Sequence, residues 1–479
     1  MRTCGCCGRR STPSASTCGE RRPAPDVEVT APGRLPYVVL LSCTTLGTLS
    51  STIITAPINA IAADLDASAR EIVFAVSSFT LAMVLFAPLA GWLGERFGAR
   101  HFLAASLVLM ALAGIGAALS PDLWVLVLMR ALQGVACSAV PAAVQQTLGA
   151  FWSHRRARVM AAWASAIGVG QALGPPLGGL VADLAGWRAV FVTHAVLSGS
   201  LAVLLTLFVP AVHRGRPPMH VAGMLTLVLG VGGLVGGLTW AGQGGAALAA
   251  AAVSVAGAGA LAVHAQVARR NPRALVDPRL LVEKRYLRST ASAGTVMACL
   301  GVMIVATPLY LGRQFGMSPS QIGLVTLALA AAMALSAPLS SRLGDRITPR
   351  RVLHVGLAGL AVGPLATAVV LAAPTRSVAV GGAVLLLALT GCAIGAVQAV
   401  SGFGVMRSQA AAHGTALGIH NMMRFAGLAV GYAWVSLSYP TGQLALVYGG
   451  PTLLAGSTLA LVLIGPPAAP LPGDEIALA

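Results

Sequence analysis

GQALGPPLGG, residues Gly170 to Gly179, lies inside an apolar run from about Ala157 to Val181 and interrupts it with four glycines and a Pro-Pro pair. Soluble helices rarely tolerate such a segment, because Pro removes a backbone donor and Gly exposes the backbone to water. In a lipid bilayer it is tolerable where neighbouring helices bury the backbone. Glycine recurs every fourth residue, which leaves one helix face without side chains, and the prolines predict a bend. The pattern predicts either a hinge surface or a static packing seam, formed by Gly170, Gly174, Pro175, Gly178 and Gly179.

The composition is that of a protein that crosses a membrane many times. Of the 479 residues, 56% are hydrophobic and only 9% are charged, whereas soluble domains carry about 25% charged residues. Apolar runs of about 20 residues are each long enough to cross the hydrocarbon core. We predict an all-α membrane protein with fourteen transmembrane helices, at roughly residues 37–60, 70–92, 102–120, 123–148, 157–181, 188–210, 220–240, 246–267, 289–312, 320–341, 352–373, 377–402, 413–436 and 443–465.

The basic residues predict the orientation. Of the 31 Lys and Arg residues, 25 lie at the chain ends and in the loops of one side, and four lie on the other. Because Lys and Arg concentrate in cytoplasmic loops, both termini are expected in the cytoplasm, with the protein in the plasma (inner) membrane. The net charge of +17 is dispersed over the loops, so no nucleic-acid partner is expected. The basic stretch from Arg269 to Arg288 is expected to lie on anionic headgroups.

Two similar loops indicate an internal duplication. GWLGERFGARH (Gly91–His101) follows the second predicted span, and SRLGDRITPRR (Ser341–Arg351) follows the tenth, 250 residues later. Duplicated halves with a site between them are the usual plan of secondary transporters. The loop residues expected to gate the cytoplasmic side by latching helix ends are Gly91, Glu95, Arg96, Gly98, Arg100, Asp345 and Arg346.

This duplication predicts the domain organisation. The predicted parts are a disordered cytoplasmic tail (1–34), an N-terminal six-helix bundle (35–212), an inserted helix pair with a basic cytoplasmic linker (213–288), a C-terminal six-helix bundle (289–466) and a cytoplasmic tail (467–479). The two bundles are expected to be pseudo-symmetric.

Several motifs together resemble one transporter family. GWLGERFGARH resembles the major facilitator loop signature GxLaDRxGRkxxL, with Glu95 in the acid position, and RALQG, which contains Arg130, resembles the signature of the fourth helix. GQALGPPLGG matches the antiporter signature GxxxGPxxGG of the fifth helix, and WRAVF fits the start of the sixth. With the inserted pair, the chain resembles the fourteen-helix drug:proton antiporter branch of the major facilitator superfamily, the EmrB/QacA-like multidrug exporters. The resemblance implies export of drugs coupled to proton entry.

The first helix departs from the family pattern LDxTIVNVALPxIxxDL. Its Asp is Ser50 in this chain, its Asn is Thr55 and its Pro is Asn59. The family's Asp is linked to proton or cationic-drug binding, so proton coupling stays open at this point.

The placement of charge within the spans predicts the substrate pathway. All fourteen Asp and Glu residues fall in tails, loops or span ends, whereas Arg130 and Arg424 lie deep in spans. A buried Arg costs about 2.5–3.5 kcal/mol on insertion scales and is a functional candidate; the alternative is a structural Arg bonded to carbonyl groups of a neighbouring helix. Polar residues share helix faces with these arginines or line the first helix, where packing between helices is the alternative. The predicted pathway residues are Ser50, Thr52, Thr55, Asn59, Arg130, Gln133, His420, Asn421 and Arg424.

These residues predict an exporter of small amphiphilic compounds that works by alternating access. Without a deep carboxylate, His420 is the candidate proton carrier, although a neutral hydrogen-bonding His is the alternative. An acid-free cavity with Arg should favour neutral or anionic substrates over cations. An uptake permease or proton-independent facilitator is the nearest alternative, and a non-transporting sensor or scaffold the next. No nucleophile-base pair or metal cluster occurs in any span, so neither an enzyme nor a cofactor is expected, and a monomer is expected.

Overall fold

A computed structural model describes residues 33–55, 57–67, 71–211, 220–242, 246–270, 282–317, 319–342, 348–412 and 414–464. The predicted gating residues Asp345 and Arg346, the tail 467–479 and almost all of the tail 1–34 lie outside these residues. The described part of the chain contains sixteen α-helices, three short 3-10 turns and no strand. The helices are α1 (Arg34–Thr52), α2 (Ile58–Asp64), α3 (Val73–Phe97), α4 (Ala99–Ala118), α5 (Leu123–Cys137), α6 (Ala139–Phe151), α7 (Arg156–Ala185), α8 (Trp187–Phe208), α9 (Val221–Gly242), α10 (Ala247–Arg270), α11 (Lys284–Phe315), α12 (Pro319–Arg342), α13 (Pro349–Leu371), α14 (Arg376–Met406), α15 (Gly414–Ser438) and α16 (Leu444–Ile464).

The prediction of an all-helical, multi-pass membrane protein is confirmed, while the total of fourteen membrane helices stays a prediction. Within the described residues, ten of the predicted spans coincide with helical segments long and apolar enough to cross a membrane. The remaining four coincide with α1, α7, α12 and α15. Gly, Ser, Thr, Gln, Asn, His and Arg residues lower the hydropathy of α1, α7 and α15. Each of these three helices contributes polar or charged side chains to the cavity described below.

Two predicted spans are interrupted near prolines. The first span, expected to continue to residue 60, ends as a helix at Thr52, and a separate short helix starts after Pro57. The fourth span breaks between Cys137 and Ala139. Pro141 explains this break, because its ring excludes the carbonyl group four residues earlier and it offers no N–H to that group. In contrast, α7 runs as one helix through Pro175 and its neighbouring proline.

The helices pack as two groups that meet along a common interface. In the first group α4 packs on α5 and α8, α3 on α5, and α1 on α7 and α8. In the second group α13 packs on α14 and α16, α12 on α14, and α11 on α15 and α16. The groups, called here the first and second bundles, meet where α3 contacts α15 and where α7 contacts α12 and α14. The pair α9 and α10 pack on each other, and α9 also contacts α3 and α15.

The glycine face of α7 packs inside the first bundle. A Cβ atom added at Gly178 would overlap the carbonyl oxygen of Ile53, the residue that follows α1, and Gly170 and Gly174 approach α1 equally closely. These contacts are those of a close packing seam between two helices of one bundle. The glycine of α7 that touches the second bundle is Gly168, whose added Cβ would lie 3.0 Å from a backbone nitrogen of α12. The predicted hinge role of the segment stays a prediction.

Candidate functional site

A narrow cavity lies where the two bundles meet. Its walls come from α1, α3, α5, α6 and α7 of the first bundle and from α11 and α15 of the second, and they include Thr48, Ser51, Trp163, Gln171 and Arg424. The space open to the centres of water molecules is about 40 Å³, which holds roughly three waters. Drug-sized ligands occupy pockets of about 300–1,000 Å³. The conformation is therefore closed around this site.

Arg424 supplies the positive charge at the cavity. The residue is 2% exposed, and its guanidinium lies 4.9 Å from the centre of the Trp163 ring and donates from Nη1 to Asn421 Oδ1 at 2.9 Å. Trp163 belongs to the first bundle, so this cation–π contact joins the two bundles. No Asp or Glu occurs among the described residues that line the cavity.

A second polar contact crosses the same interface. Asn421 Nδ2 donates to Gln145 Oε1 of α6 at 2.9 Å. Asn421 and Arg424 of the second bundle thus each contact a side chain of the first bundle, Gln145 and Trp163 respectively, and Arg424 Nη1 donates to Asn421 Oδ1 between them. The sequence analysis identified Asn421 and Arg424 but missed Gln145 and Trp163. Gln145 could have been found as an amide within a membrane span, because such groups are buried only with a partner.

Arg130 makes a different set of contacts. It is 1% exposed, donates from Nε to the Ala75 carbonyl and from Nη1 to the Ser50 carbonyl, each at 3.2 Å, and also reaches Gln133 Oε1 at 2.9 Å. Its guanidinium lies 4.3 Å from the centre of the Phe79 ring. Arg130 therefore ties α5 to α1 and α3, and it is not part of the cavity wall. These are the contacts expected of a structural arginine.

The predicted polar residues of the first helix are only partly at the cavity. Thr52 donates to the Leu49 carbonyl at 3.4 Å, and Thr55 is exposed and donates to the Thr52 carbonyl at 2.7 Å. The side chain of Asn59 lies outside the described residues. The cavity wall instead contains Thr48 and Ser51 of this helix.

Two histidines are buried in the described part of the chain, and they differ in their hydrogen bonds. His420 is 1% exposed, and its Nδ1 lies 3.1 Å from Thr290 Oγ1. His194 of α8 is also 1% exposed, but neither ring nitrogen has a hydrogen-bond partner in the described residues. An unpaired buried polar group costs about 1–3 kcal/mol. The sequence analysis missed His194, because a lone histidine in an apolar span does not show whether it finds a partner.

Arginines in the first turns of α4 and α13 contact the ends of neighbouring helices. Arg100 donates to the Thr206 carbonyl near the end of α8, and Arg350, 250 residues later, donates to the Leu463 carbonyl near the end of α16 at 3.4 Å. Arginines in this position complement the negative end of a helix dipole. Gly98 joins α3 to α4 with a φ of 88°, a conformation that glycine adopts without strain.

The other predicted residues of this loop lie along the end of α3. Gly91 is buried in α3, Glu95 and Arg96 lie in its last turn, and Arg96 is exposed. Their gating role stays a prediction.

An ion pair lies at the opposite end of the first bundle. Arg188 Nη1 donates to Asp64 Oδ2 at 2.5 Å, and Trp187 Nε1 donates to the same oxygen at 3.2 Å. The hydrogen bond from Arg188, followed by that from Trp187, holds the pKa of the Asp64 carboxyl below its ordinary value. Asp64 is therefore engaged in this ion pair, and it is not part of the cavity wall.

Comparison with known proteins relates this architecture to a family. The family model described as Major Facilitator Superfamily matches residues 38–272 and 290–477. The multidrug resistance protein Stp of Mycobacterium tuberculosis is 28% identical over 295 residues, which are 60% of this chain and 55% of that protein. The chain thus spans about half the length of this curated relative.

Two solved structures share the fold. The proton:xylose symporter XylE, bound to 6-bromo-6-deoxy-D-glucose, superposes with a TM-score of 0.65 at 16% identity, over 90% of this chain and 94% of that one. The human organic anion transporter MFSD10 (TETRAN) superposes with a TM-score of 0.65 at 17% identity, over 90% of this chain and 99% of that one. At identities this low, the superpositions show similarity of the fold only. The family match covers most of the residues, and with the shared fold it establishes that this chain belongs to the Major Facilitator Superfamily, a family of membrane transporters and not of enzymes.

Proposed function

We propose that this protein is a secondary active exporter of small amphiphilic compounds, such as drugs or antibiotics, with protons as the coupling ion. The observation that carries the proposal is the cavity between the bundles, where Arg424 faces Trp163 and the described wall contains no carboxylate. The relative named a multidrug resistance protein supports export of drugs. The charge bias of the loops supports a plasma-membrane protein with both termini in the cytoplasm.

Alternating access is supported by the way the bundles are built. Each packing pair of the first bundle has a counterpart in the second, such as α4 on α8 and α13 on α16, and Arg100 and Arg350 make corresponding contacts. Two pseudo-symmetric six-helix bundles plus the pair α9 and α10 form the fourteen-helix architecture that we propose. Such bundles can rock as rigid bodies about a central site.

The positive charge of Arg424 at the cavity is the basis for the substrate class that we propose. A buried guanidinium in a medium of low dielectric attracts an anionic or strongly accepting group. Arg424 Nε and Trp163 Nε1 are donors without a hydrogen-bond partner in the described residues. Because both are donors, a carboxylate or carbonyl group on an otherwise apolar compound fits them better than a cationic amine does. The apolar part of such a compound would lie on Phe425 and Leu428 of the same wall.

Efflux measurements in a pump-deficient host test the proposal. Cells expressing the wild-type protein should export a carboxylated antibiotic faster than an ethidium-like cation, and a protonophore should abolish export against a gradient. Arg424→Gln should reduce export of the carboxylated compound at least tenfold, whereas the charge-conserving Arg424→Lys should retain most of it. Strong export of the cation without export of the carboxylated compound would refute the charge preference.

A proton-independent facilitator or an uptake permease is the second candidate. The observation that favours it is Ser50, which stands where the family pattern has Asp. Transport that persists with the protonophore, or accumulation inside the cell, would identify these activities. A protein that moves no compound of the panel would fit a sensor or scaffold.

A further inference from the structure

A group of four buried polar residues lies inside the first bundle, away from the cavity. Ser50, Arg130, Gln133 and His194 are each no more than 1% exposed, and we call them the inner polar cluster. Arg130 joins the cluster through its bonds to the Ser50 carbonyl at 3.2 Å and to Gln133 Oε1 at 2.9 Å. His194 lies close enough to Arg130 to interact with its charge. The cluster connects α1, α5 and α8.

The imidazole of His194 has an unengaged lone pair. A neutral imidazole carries one N–H and one acceptor nitrogen, and neither ring nitrogen of His194 has a partner in the described residues. The Leu46 carbonyl lies near the ring and can accept only from its N–H, so one ring nitrogen keeps a free lone pair in either tautomer. His420 differs, because Thr290 lies 3.1 Å from its Nδ1. Thr290 thus holds one ring nitrogen of His420, whereas no side chain of the described residues holds either ring nitrogen of His194.

The cluster lies below the end of the bundle that we propose to be extracellular. His194 is seven residues after Trp187, where α8 starts, and Arg130 is seven residues after Leu123, where α5 starts. At 1.5 Å per residue, both lie about 10 Å along their helices from that end. Buried Phe191 packs with Trp187 and Leu123 in one hydrophobic cluster, which separates the histidine from the surface in this conformation.

We propose that His194 takes up the proton that drives export, an inference that rests on the proposed proton-coupled function. When the outer end opens, water delivers a proton to the free ring nitrogen, and the proton leaves to cytoplasmic water after the bundles have rocked. No covalent bond other than this N–H bond forms or breaks. Protonation places a second positive charge beside Arg130 and weakens its bonds to the carbonyl groups of Ser50 and Ala75. Those bonds tie α5 to α1 and α3, so proton binding is coupled to helix packing.

Arg130 is the charged side chain that acts on the His194 ring. Helix α8 packs on α1, α4 and α7, and its own charged residue is Arg188 at its start. The titratable and charged groups of the packed helices that lie toward their ends are Arg34, Tyr37, Arg100, His101, Arg156, Arg158 and Asp183. Cys43 of α1 and Cys137 of α5 are buried thiols nearer the middle of the bundle.

Glutamine substitutions at His194 and at His264 of α10 provide a matched test, because neither histidine lines the cavity and glutamine keeps a polar side chain. Protein reconstituted in liposomes is assayed for substrate counterflow without a pH gradient, which reports folding and binding, and for uptake driven by a pH gradient. We expect His194→Gln to keep counterflow within twofold and to lose at least tenfold of the gradient-driven rate. His264→Gln should keep both within twofold. If His194→Gln does not fold, His194→Asn replaces it.

A gradient-driven rate in His194→Gln equal to that of the wild type would overturn the proposal. A second measurement needs no change at His194: the number of protons moved per substrate exported, followed with a pH-sensitive dye in weak buffer, should be the same in the wild type and in His420→Gln, whatever the export rate of that variant. A lower ratio in His420→Gln would place the proton at His420 and overturn the proposal. If the wild type exports substrate but ignores the pH gradient, the coupling itself is wrong, which is distinguishable from an error about His194 alone.

Discussion

A close backbone contact between the bundles provides the sharpest prediction, at Gly418 of α15. A Cβ atom added there would lie 2.5 Å from the Ala87 carbonyl oxygen, 2.9 Å from Pro88 Cα and 3.1 Å from the Pro88 carbonyl oxygen. All three atoms belong to the backbone of α3, in the other bundle, so none can rotate away. Carbon atoms normally approach to about 3.5–4.0 Å. Gly418→Ala therefore requires α3 and α15 to separate by roughly 1 Å at this level.

The magnitude follows from the packing. Forcing a methyl group into a well-packed contact costs about 1–3 kcal/mol, and this cost falls only on the conformation in which the two bundles touch at Gly418. A differential free energy of that size changes a conformational equilibrium by about 5–150-fold. We expect the substitution to favour the conformation in which α3 and α15 are separated at the level of Gly418. Gly199→Ala is the matched control, because an added Cβ there meets nothing within 4 Å.

Pulsed electron paramagnetic resonance measures this shift directly. Spin labels are placed at Arg155 of the first bundle and Arg351 of the second, both exposed, after replacement of the eight native cysteines. Gly418→Ala should increase the population of long distances at the cytoplasmic ends relative to the wild type, and Gly199→Ala should not. An unchanged distance distribution in Gly418→Ala would refute the argument that this contact limits opening.

Three further predictions follow from other contacts. Gly178→Ala should lower the apparent melting temperature of the purified protein, because its Cβ would overlap the Ile53 carbonyl oxygen at a cost of about 1–3 kcal/mol; an unchanged melting temperature would show that α1 and α7 separate freely. Because Arg188 depresses the pKa of Asp64, the ion pair should stabilise the protein above about pH 4 and lose this effect as the pH falls through the depressed pKa, and an acid melt of Asp64→Asn should lack that component. Trp163→Leu should weaken substrate binding about 2–30-fold by removing the ring below the guanidinium, while Trp163→Phe should have a smaller effect; equal affinity in all three proteins by direct binding measurement would exclude a role of the ring.

Much of the fold follows from composition and local pattern. Apolar runs of membrane length can satisfy their backbone groups in lipid only as helices, so the helical class and the positions of most helices are predictable. The departures occur near prolines, as in the first span, which ends at Thr52 ahead of Pro57. The motif around Gly91–His101 and the glycine segment at Gly170–Gly179 indicated the family, because both contain glycines at positions where few folds require them.

The site was predictable only in part, and Arg130 and Arg424 show why. Both are single arginines in apolar spans, and the sequence assigns both to the pathway. The structure places Arg424 at the cavity and Arg130 among backbone carbonyl groups of α1 and α3. Which neighbour a buried guanidinium meets depends on helix rotation and bundle packing, which no local pattern encodes.

By itself, the sequence determined that this chain folds as membrane helices of a transporter. The length of the apolar runs, the bias of the basic residues and the spacing of the glycines are local features, and their effects depend on how each segment interacts with lipid and water. Only the tertiary structure decided that His420 has a partner and His194 does not, and that Gln145 and Trp163 reach across to Asn421 and Arg424. Those outcomes depend on contacts between residues far apart in the chain. The free energy of such a contact exists only once both helices are packed.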